Sequence, residues 1–275
     1  MTGAGATGSG PAVVITGGTR GIGLGLAREF LARGARVAIC GRSQESVGKA
    51  LAELGDGVVG AVCDVADRDQ VQALWDEAAG AFGRIDHWIN NAGVSTARRP
   101  LTELPPDQLE TVVSANLLGV LHGSAVAVRG MAAQGGGTVW NMAGLGSDGR
   151  TVPGLIAYGA TKRGTDYLTT GLAKEVKGGP VKVAHLSPGM VVTDLLIQDY
   201  SPEELAKARK VFNILADRVE TVTPWLAARV LAGTRNGGTV AWLTTPKIMG
   251  RFALARFRKR DLFGDREPVG NTEAS

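Results

Sequence analysis

The sequence predicts an α/β fold, a doubly wound domain on a mostly parallel, seven-stranded sheet. Three observations carry this. Short β-rich runs alternate along the chain with longer helical stretches. Those runs are apolar almost throughout, which marks a parallel sheet covered on both faces. A glycine-rich turn, Gly17-Gly18-Thr19-Arg20-Gly21-Ile22-Gly23, joins the first run to the first helix.

Strands are expected at 12–16, 36–40, 57–63, 85–90, 138–142, 181–187 and 239–243. Helices are expected at 21–33, 67–82, 106–132 and 157–176. No internal repeat or linker interrupts residues 11–245, so one domain is the simplest account. Residues 1–10, almost all Gly, Ala, Thr and Ser, read as a disordered leader. Two parts depart from the alternation. Residues 189–217 form a long excursion after the sixth strand, read either as a surface helix pair or as a lid, because ligands of open parallel sheets bind beyond the carboxyl ends of the strands. Residues 246–275 form a C-terminal extension whose 246–260 stretch is basic and amphipathic; it suits either peripheral membrane contact or docking on the body or a partner subunit.

Composition excludes several function classes. The net charge of +4 is mild and spread along the chain until the tail, so no nucleic-acid partner is expected. Two cysteines, Cys40 and Cys63, make no disulfide framework and read as buried free thiols of a reducing compartment. No metal site is expected. No early charged-then-apolar segment signals secretion, no plastid transit segment is recognised, and no apolar run approaches the ~20 residues of a membrane span. A cytoplasmic location is expected.

The glycines of the first turn permit a tight bend and let backbone N–H groups approach a pyrophosphate at a helix N-terminus. Their spacing is Gly-x3-Gly-x-Gly, with Leu26 where a last small residue would complete the other common pattern. The second strand ends Ile39-Cys40-Gly41-Arg42-Ser43. No acid stands there to grip a ribose 2′-hydroxyl. Arg42 and Arg20 suit a 2′-phosphate through forked, charge-assisted hydrogen bonds, which favours NADP(H); otherwise both are solvated surface charges. Asp64 is either a helix N-cap or an acceptor for an adenine amino group. The amides of Asn90-Asn91-Ala92-Gly93 can satisfy loop backbone and ribose together.

Tyr158 and Lys162 are four residues apart at the opening of a helix and share one face. A nearby ammonium lowers the pKa of a phenol, which suits Tyr158 as a general acid for reducing a carbonyl.

These motifs together resemble the short-chain dehydrogenase/reductase family across residues 11 to about 245. The matching pieces are Thr16-Gly17-x3-Gly21-x-Gly23, Asp64, Asn90-Asn91-Ala92-Gly93, Asn116, Tyr158-x3-Lys162 and Pro188-Gly189 with Thr193. The resemblance implies a Rossmann sheet and hydride transfer from a nicotinamide. Tyr158 would give the proton, Lys162 hold the ribose, Asn116 anchor a water of a proton relay, and Thr193 hold the carboxamide. It implies a cofactor set of Gly17, Thr19, Arg20, Gly21, Ile22, Gly23, Arg42, Asp64, Val65, Asn91, Ala92, Gly93, Tyr158, Lys162, Pro188, Gly189, Val191 and Thr193. It also implies a homo-dimer or homo-tetramer.

The family's serine is missing from its place. Gly144 stands there, in Asn141-Met142-Ala143-Gly144-Leu145-Gly146-Ser147-Asp148-Gly149, and Ser147 is the first serine after it. Ser147 is either a displaced catalytic serine, stabilising charge on the carbonyl oxygen, or a loop serine. This segment, with Ala157-Tyr158-Gly159-Ala160-Thr161-Lys162-Arg163 and Phe212-Asn213-Ile214-Leu215-Ala216, is similar to the chlorophyll b reductases, which carry an acidic residue in place of Ala143. That similarity implies NADPH-dependent reduction of a formyl group on a large apolar ring to hydroxymethyl. Alternatives are a generic short-chain ketoreductase or alcohol dehydrogenase, and a non-catalytic NADP-binding regulator.

Overall fold

The computed structural model describes residues 9–197, 200–255, 257 and 260–263. Apart from Ser9 and Gly10, the expected leader lies outside the described residues, as does the chain beyond 263. The chain runs β1 (Ala12–Ile15), α1 (Gly21–Leu31), β2 (Arg36–Gly41), α2 (Gln44–Leu54), β3 (Val58–Val62), α3 (Arg68–Phe82) and β4 (His87–Asn90). It continues through α4 (Pro106–Val113), a π-turn at Ser114–Leu118, α5 (Gly119–Ala133), β5 (Gly137–Met142), α6 (Ile156–Glu175) and β6 (Val181–Ser187). The excursion holds β7 (Val191–Val192), α7 (Asp194–Ile197), α8 (Pro202–Leu215) and β8 (Asp217–Arg218); α9 (Val219–Ala232), β9 (Thr239–Ala241) and α10 (Thr245–Leu254) follow.

Seven strands pair in parallel in the order β3-β2-β1-β4-β5-β6-β9. Each expected strand is present, with ends shifted by no more than two residues. The period-two alternation of a strand sends successive side chains to opposite faces. Ala12 and Val14 join Trp75, Ala78 and Met131 under α3 and α5, while Val13 and Ile15 join Leu26, Phe30 and Leu226 under α1 and α9. Burying each such large side chain contributes roughly 1.5–3 kcal/mol.

The winding direction reverses between β1 and β4, which opens a crevice beyond their carboxyl ends. The glycine-rich turn leaves β1 there, and Asn91-Ala92-Gly93 leaves β4 there.

Helical structure is continuous over Pro106–Ala133, with the length and hydropathy of a membrane-crossing helix. This corrects the expectation that no run comes close. Val126, Ala127 and Met131 nevertheless sit in the core, as befits a central helix of the fold. In the C-terminal extension, α10 packs on α8, so its inner side docks on the body. Its Met249, Phe252 and Leu254, with Phe257 beyond it, remain exposed.

Candidate active site

Thr16 closes β1 and ties it to β4. Its Oγ1 accepts from the N–H groups of Asn91 and Ala92, both at 3.1 Å, and Asn91 Nδ2 donates to the carbonyls of Thr16 and Gly17 at 3.0 and 2.9 Å. This close approach is why the turn needs glycine. A Cβ on Gly17, whose φ is +63°, would lie 2.7 Å from Ala92 Cα, and one on Gly23 would lie 2.2 Å from the Gly17 carbonyl oxygen. Helix α1 then opens with no acid in its first turn and no side-chain cap. Its N-terminal N–H groups and the positive end of its dipole remain available to an anion.

This turn lines a cavity of about 1040 Å³. Gly17, Thr19, Arg20, Gly21, Ile22, Gly23, Arg42, Asp64, Val65, Asn91, Ala92, Gly93 and Thr193 all reach its wall. Tyr158, Lys162, Pro188, Gly189 and Val191 do not. Pro188 and Val191 are buried, and Gly189 turns the chain at φ +72° with Leu243 against it. Asp64 is not the N-cap of α3; that cap is Asp67, which accepts from Asp69 and Gln70 N–H. Asp64 Oδ1 accepts from Ala66 N–H at 2.9 Å.

Tyr158 enters from the first turn of α6, half-buried against Val94, Ala97 and Ala157. Lys162 lies one turn on and is buried. Its Nζ donates to the Met142 carbonyl at 3.2 Å and sits 5.8 Å from the Tyr158 ring centre. Burial pushes the Tyr158 phenol up to about 12 and pulls the Lys162 ammonium down to about 8. This corrects the expectation that the ammonium lowers the phenol. Both groups lose water, and that cost outweighs their mutual effect.

A cradle with no room for a Cβ at Gly17 or Gly23, a free helix N-terminus and a phenol beside a buried amine fit a dinucleotide-dependent oxidoreductase. A family model for short-chain dehydrogenases matches residues 11–204. The chain belongs to the short-chain dehydrogenase family. It is therefore an oxidoreductase of the nicotinamide-dependent kind. A probable chloroplastic chlorophyll(ide) b reductase of Oryza sativa subsp. japonica is 37% identical over 274 residues, covering 92% of this chain. The chain spans only 54% of that relative's length. A chloroplastic chlorophyll(ide) b reductase of Arabidopsis thaliana is 38% identical over 265 residues, covering 90% of this chain and 75% of the relative. The crystal structure of levodione reductase superposes with a TM-score of 0.78 at 28% identity, covering 86% of this chain and 97% of that one. The location of the plant relatives overturns the cytoplasmic expectation, which rested on the lack of a recognisable targeting segment.

In this short-chain dehydrogenase, two expected catalytic residues make hydrogen bonds to the backbone around them. Asn116 is fully buried in the π-turn. Its Oδ1 accepts from Val94 N–H and its Nδ2 donates to the Val94 carbonyl, both at 2.8 Å, while its own carbonyl accepts from Thr165 Oγ1 at 3.2 Å. The side chain clamps the β4–α4 loop, and Thr165 donates to the backbone carbonyl. Ser147 does not reach Tyr158. Its Oγ accepts from Gly144 N–H at 3.0 Å and donates to the Lys162 carbonyl at 3.3 Å, so the hydroxyl braces the turn. A serine in that tight turn satisfies nearby backbone groups first.

The sequence reading missed the far wall of the cavity. Asp107, Glu110, Thr111 and Ser114 face it from α4 and the start of the π-turn. Their i, i+3, i+4, i+7 spacing on a helix was the available signal. Among the described residues, no cluster of three or more His, Cys, Asp or Glu could hold a metal ion.

Proposed function

We propose that this short-chain dehydrogenase is an NADPH-dependent carbonyl reductase that reduces a formyl group on a bulky apolar ring to hydroxymethyl, as its similarity to the chlorophyll(ide) b reductases suggests. The observation that carries the reading is the pairing of half-buried Tyr158 with buried Lys162, in a fold whose cavity holds Arg42 and no acid at its second-strand corner. The cradle at Gly17 and Gly23 fits a pyrophosphate, and Arg42 with Arg20 fits a 2′-phosphate. When bound, the nicotinamide supplies a hydride to the carbonyl carbon. Tyr158 Oη gives its proton to the carbonyl oxygen, and a phenol held near 12 keeps that proton until the transfer. Lys162 then offers positive charge beside the phenolate. The segment 189–217 covers the substrate. The apolar side chains exposed on and after α10 suit a membrane surface from which such a substrate is taken.

The test is incubation with NADPH and chlorophyllide b, followed by absorption spectra. A shift of the formyl-bearing chromophore that consumes one NADPH per substrate supports the reading. The absence of any shift, alongside fast turnover of a small cyclic ketone, favours the second reading. That is a ketoreductase of the kind suggested by the likeness to levodione reductase.

A further inference from the structure

The match to the family model ends at residue 204, yet a dense polar network lies beyond it. Asp217 is buried at the base of the lid, where β7 and β8 pair. Its Oδ2 accepts from Trp242 Nε1 at 2.6 Å and from Arg251 at 2.7 Å; its Oδ1 accepts from Arg260 at 2.7 Å. The two guanidiniums do more than neutralise this carboxylate. Arg251 donates to the Leu215 carbonyl, and Arg260 donates to those of Ile214 and Ala216. These are carbonyls at the C-terminal end of α8, which the helix itself leaves without partners. Leu262 N–H donates to Asn213 Oδ1, which draws the chain after Arg260 along the same end.

A line of rings runs from this clamp to the active site. Phe263 is buried against Phe212, with ring centres 6.0 Å apart. Phe212 meets Tyr200 edge-on at 5.5 Å. The Arg98 guanidinium lies 4.7 Å over the Tyr200 ring. Arg98 belongs to the loop whose Val94 and Ala97 pack on the same apolar cluster, Leu104, Val112 and Ala157, as Tyr158 does. The lid is thus held at its far end by Arg260 and Phe263, and at its near end by contact with the loop beside the proton donor.

We propose that Phe263 and Arg260 are positioning residues that set the width of the substrate cleft, by holding Tyr200 of the lid against Arg98 of the β4–α4 loop. Loss of the clamp lets the lid draw away from the loop. A bulky substrate is then gripped less well, while the cofactor cradle between β1 and β4 is unaffected. This rests on the reading that 189–217 covers the substrate, and not on the identity of that substrate.

The experiment compares Phe263→Ala, the gentler Phe263→Leu and Arg260→Gln in the full chain, first without substrate, by amide hydrogen exchange. In Phe263→Ala, exchange should accelerate by about tenfold in α8 and in residues 94–99 together, with α1 and β4 unchanged. For whichever carbonyl the wild type reduces, KM should rise by about fivefold, while kcat and NADPH affinity hold within about twofold; Phe263→Leu should fall between. Faster exchange in α8 with 94–99 unchanged would mean that the tail merely stabilises a helix, and would overturn the proposal. So would an unchanged KM with a loosened lid. If chlorophyllide b is not reduced at all, the substrate reading fails, and the exchange data still decide this one. Should Arg260→Gln not fold, the two Phe263 variants carry the test.

Discussion

A Cβ atom placed on Gly144 would lie 2.6 Å from Tyr158 Oη and 3.1 Å from the Lys162 side chain. The position where the family has its serine is therefore filled, in this chain, by the phenol itself. Restoring the serine should harm rather than help. Gly144→Ser and Gly144→Ala should both force Tyr158 aside and lower kcat by at least about tenfold, equivalent to about 1.4 kcal/mol of transition-state stabilisation. Steady-state kinetics check this, with NADPH affinity as the control. Higher activity in Gly144→Ser would show that Tyr158 moves freely and that this packing is not a constraint.

The opposite shifts of Tyr158 and Lys162 define a pH dependence. Reduction needs a proton on Tyr158 and benefits from positive charge on Lys162. The phenol, held near 12, stays protonated throughout the working range. The ammonium, pulled down to about 8, loses its proton as pH rises through that value. Carbonyl reduction should be level below about pH 8 and fall above it, approaching tenfold per unit. Lys162→Met should lower activity and remove that falling limb. Tyr158→Phe should cost roughly 10²–10⁴-fold in kcat while sparing cofactor binding. A falling limb that survives in Lys162→Met would assign the titration to another group.

Much of this site was legible in the sequence because it is local. The turn glycines, the Tyr158–Lys162 spacing and Asn91-Ala92-Gly93 all lie within one turn or one strand end, and the strand pattern follows from period two. The rest depends on contacts across the fold. That Ser147 braces Gly144 and Lys162 follows from the path of a loop with no regular period. That Asn116 clamps Val94 needs the π-turn, which leaves no distinct pattern. Asp217 carries no motif, and its partners Trp242, Arg251 and Arg260 are 25, 34 and 43 residues away. The tail was read as a basic amphipathic stretch, docked or membrane-facing, because nothing in its spacing reveals that two of its arginines point inward onto one acid.

Arg42 should decide cofactor preference. It is exposed at the cavity wall beside Gly41, while Arg20 forms only a weak surface pair with Asp194 at 3.9 Å. A charge-assisted hydrogen bond contributes about 1.5–3 kcal/mol, so Arg42→Ala should raise the KM for NADPH by about tenfold or more and leave that for NADH almost unchanged. Converting the enzyme to NADH is harder. An acid at 41 meets Thr19, because a Cβ there would lie 2.6 Å from Thr19 Cγ2. Gly41→Asp alone should therefore weaken binding of both cofactors, and Gly41→Asp with Thr19→Ala should recover NADH. Equal losses for NADPH and NADH in Arg42→Ala would show that this arginine reads no 2′-phosphate.

His87 should make the fold acid-sensitive without touching the site. It is buried at the start of β4, and its Nδ1 accepts from Trp140 Nε1 at 3.3 Å, an arrangement that requires that nitrogen to be unprotonated. Burial pulls the imidazole down to about 4, against an ordinary 6.5. Above pH 6.5 neither state binds the proton and stability is full. As pH falls from about 6.5 to about 4, the unfolded chain takes up the proton first, and folding loses up to about 3 kcal/mol. Below that the folded chain is protonated too, and the loss levels off. His87→Gln keeps an acceptor for Trp140 but cannot titrate. Urea midpoints at pH 7 and pH 4.5 should converge in this variant relative to wild type, because carboxylates elsewhere contribute equally to both proteins and cancel in the comparison. Identical pH slopes in the two proteins would remove His87 as the cause.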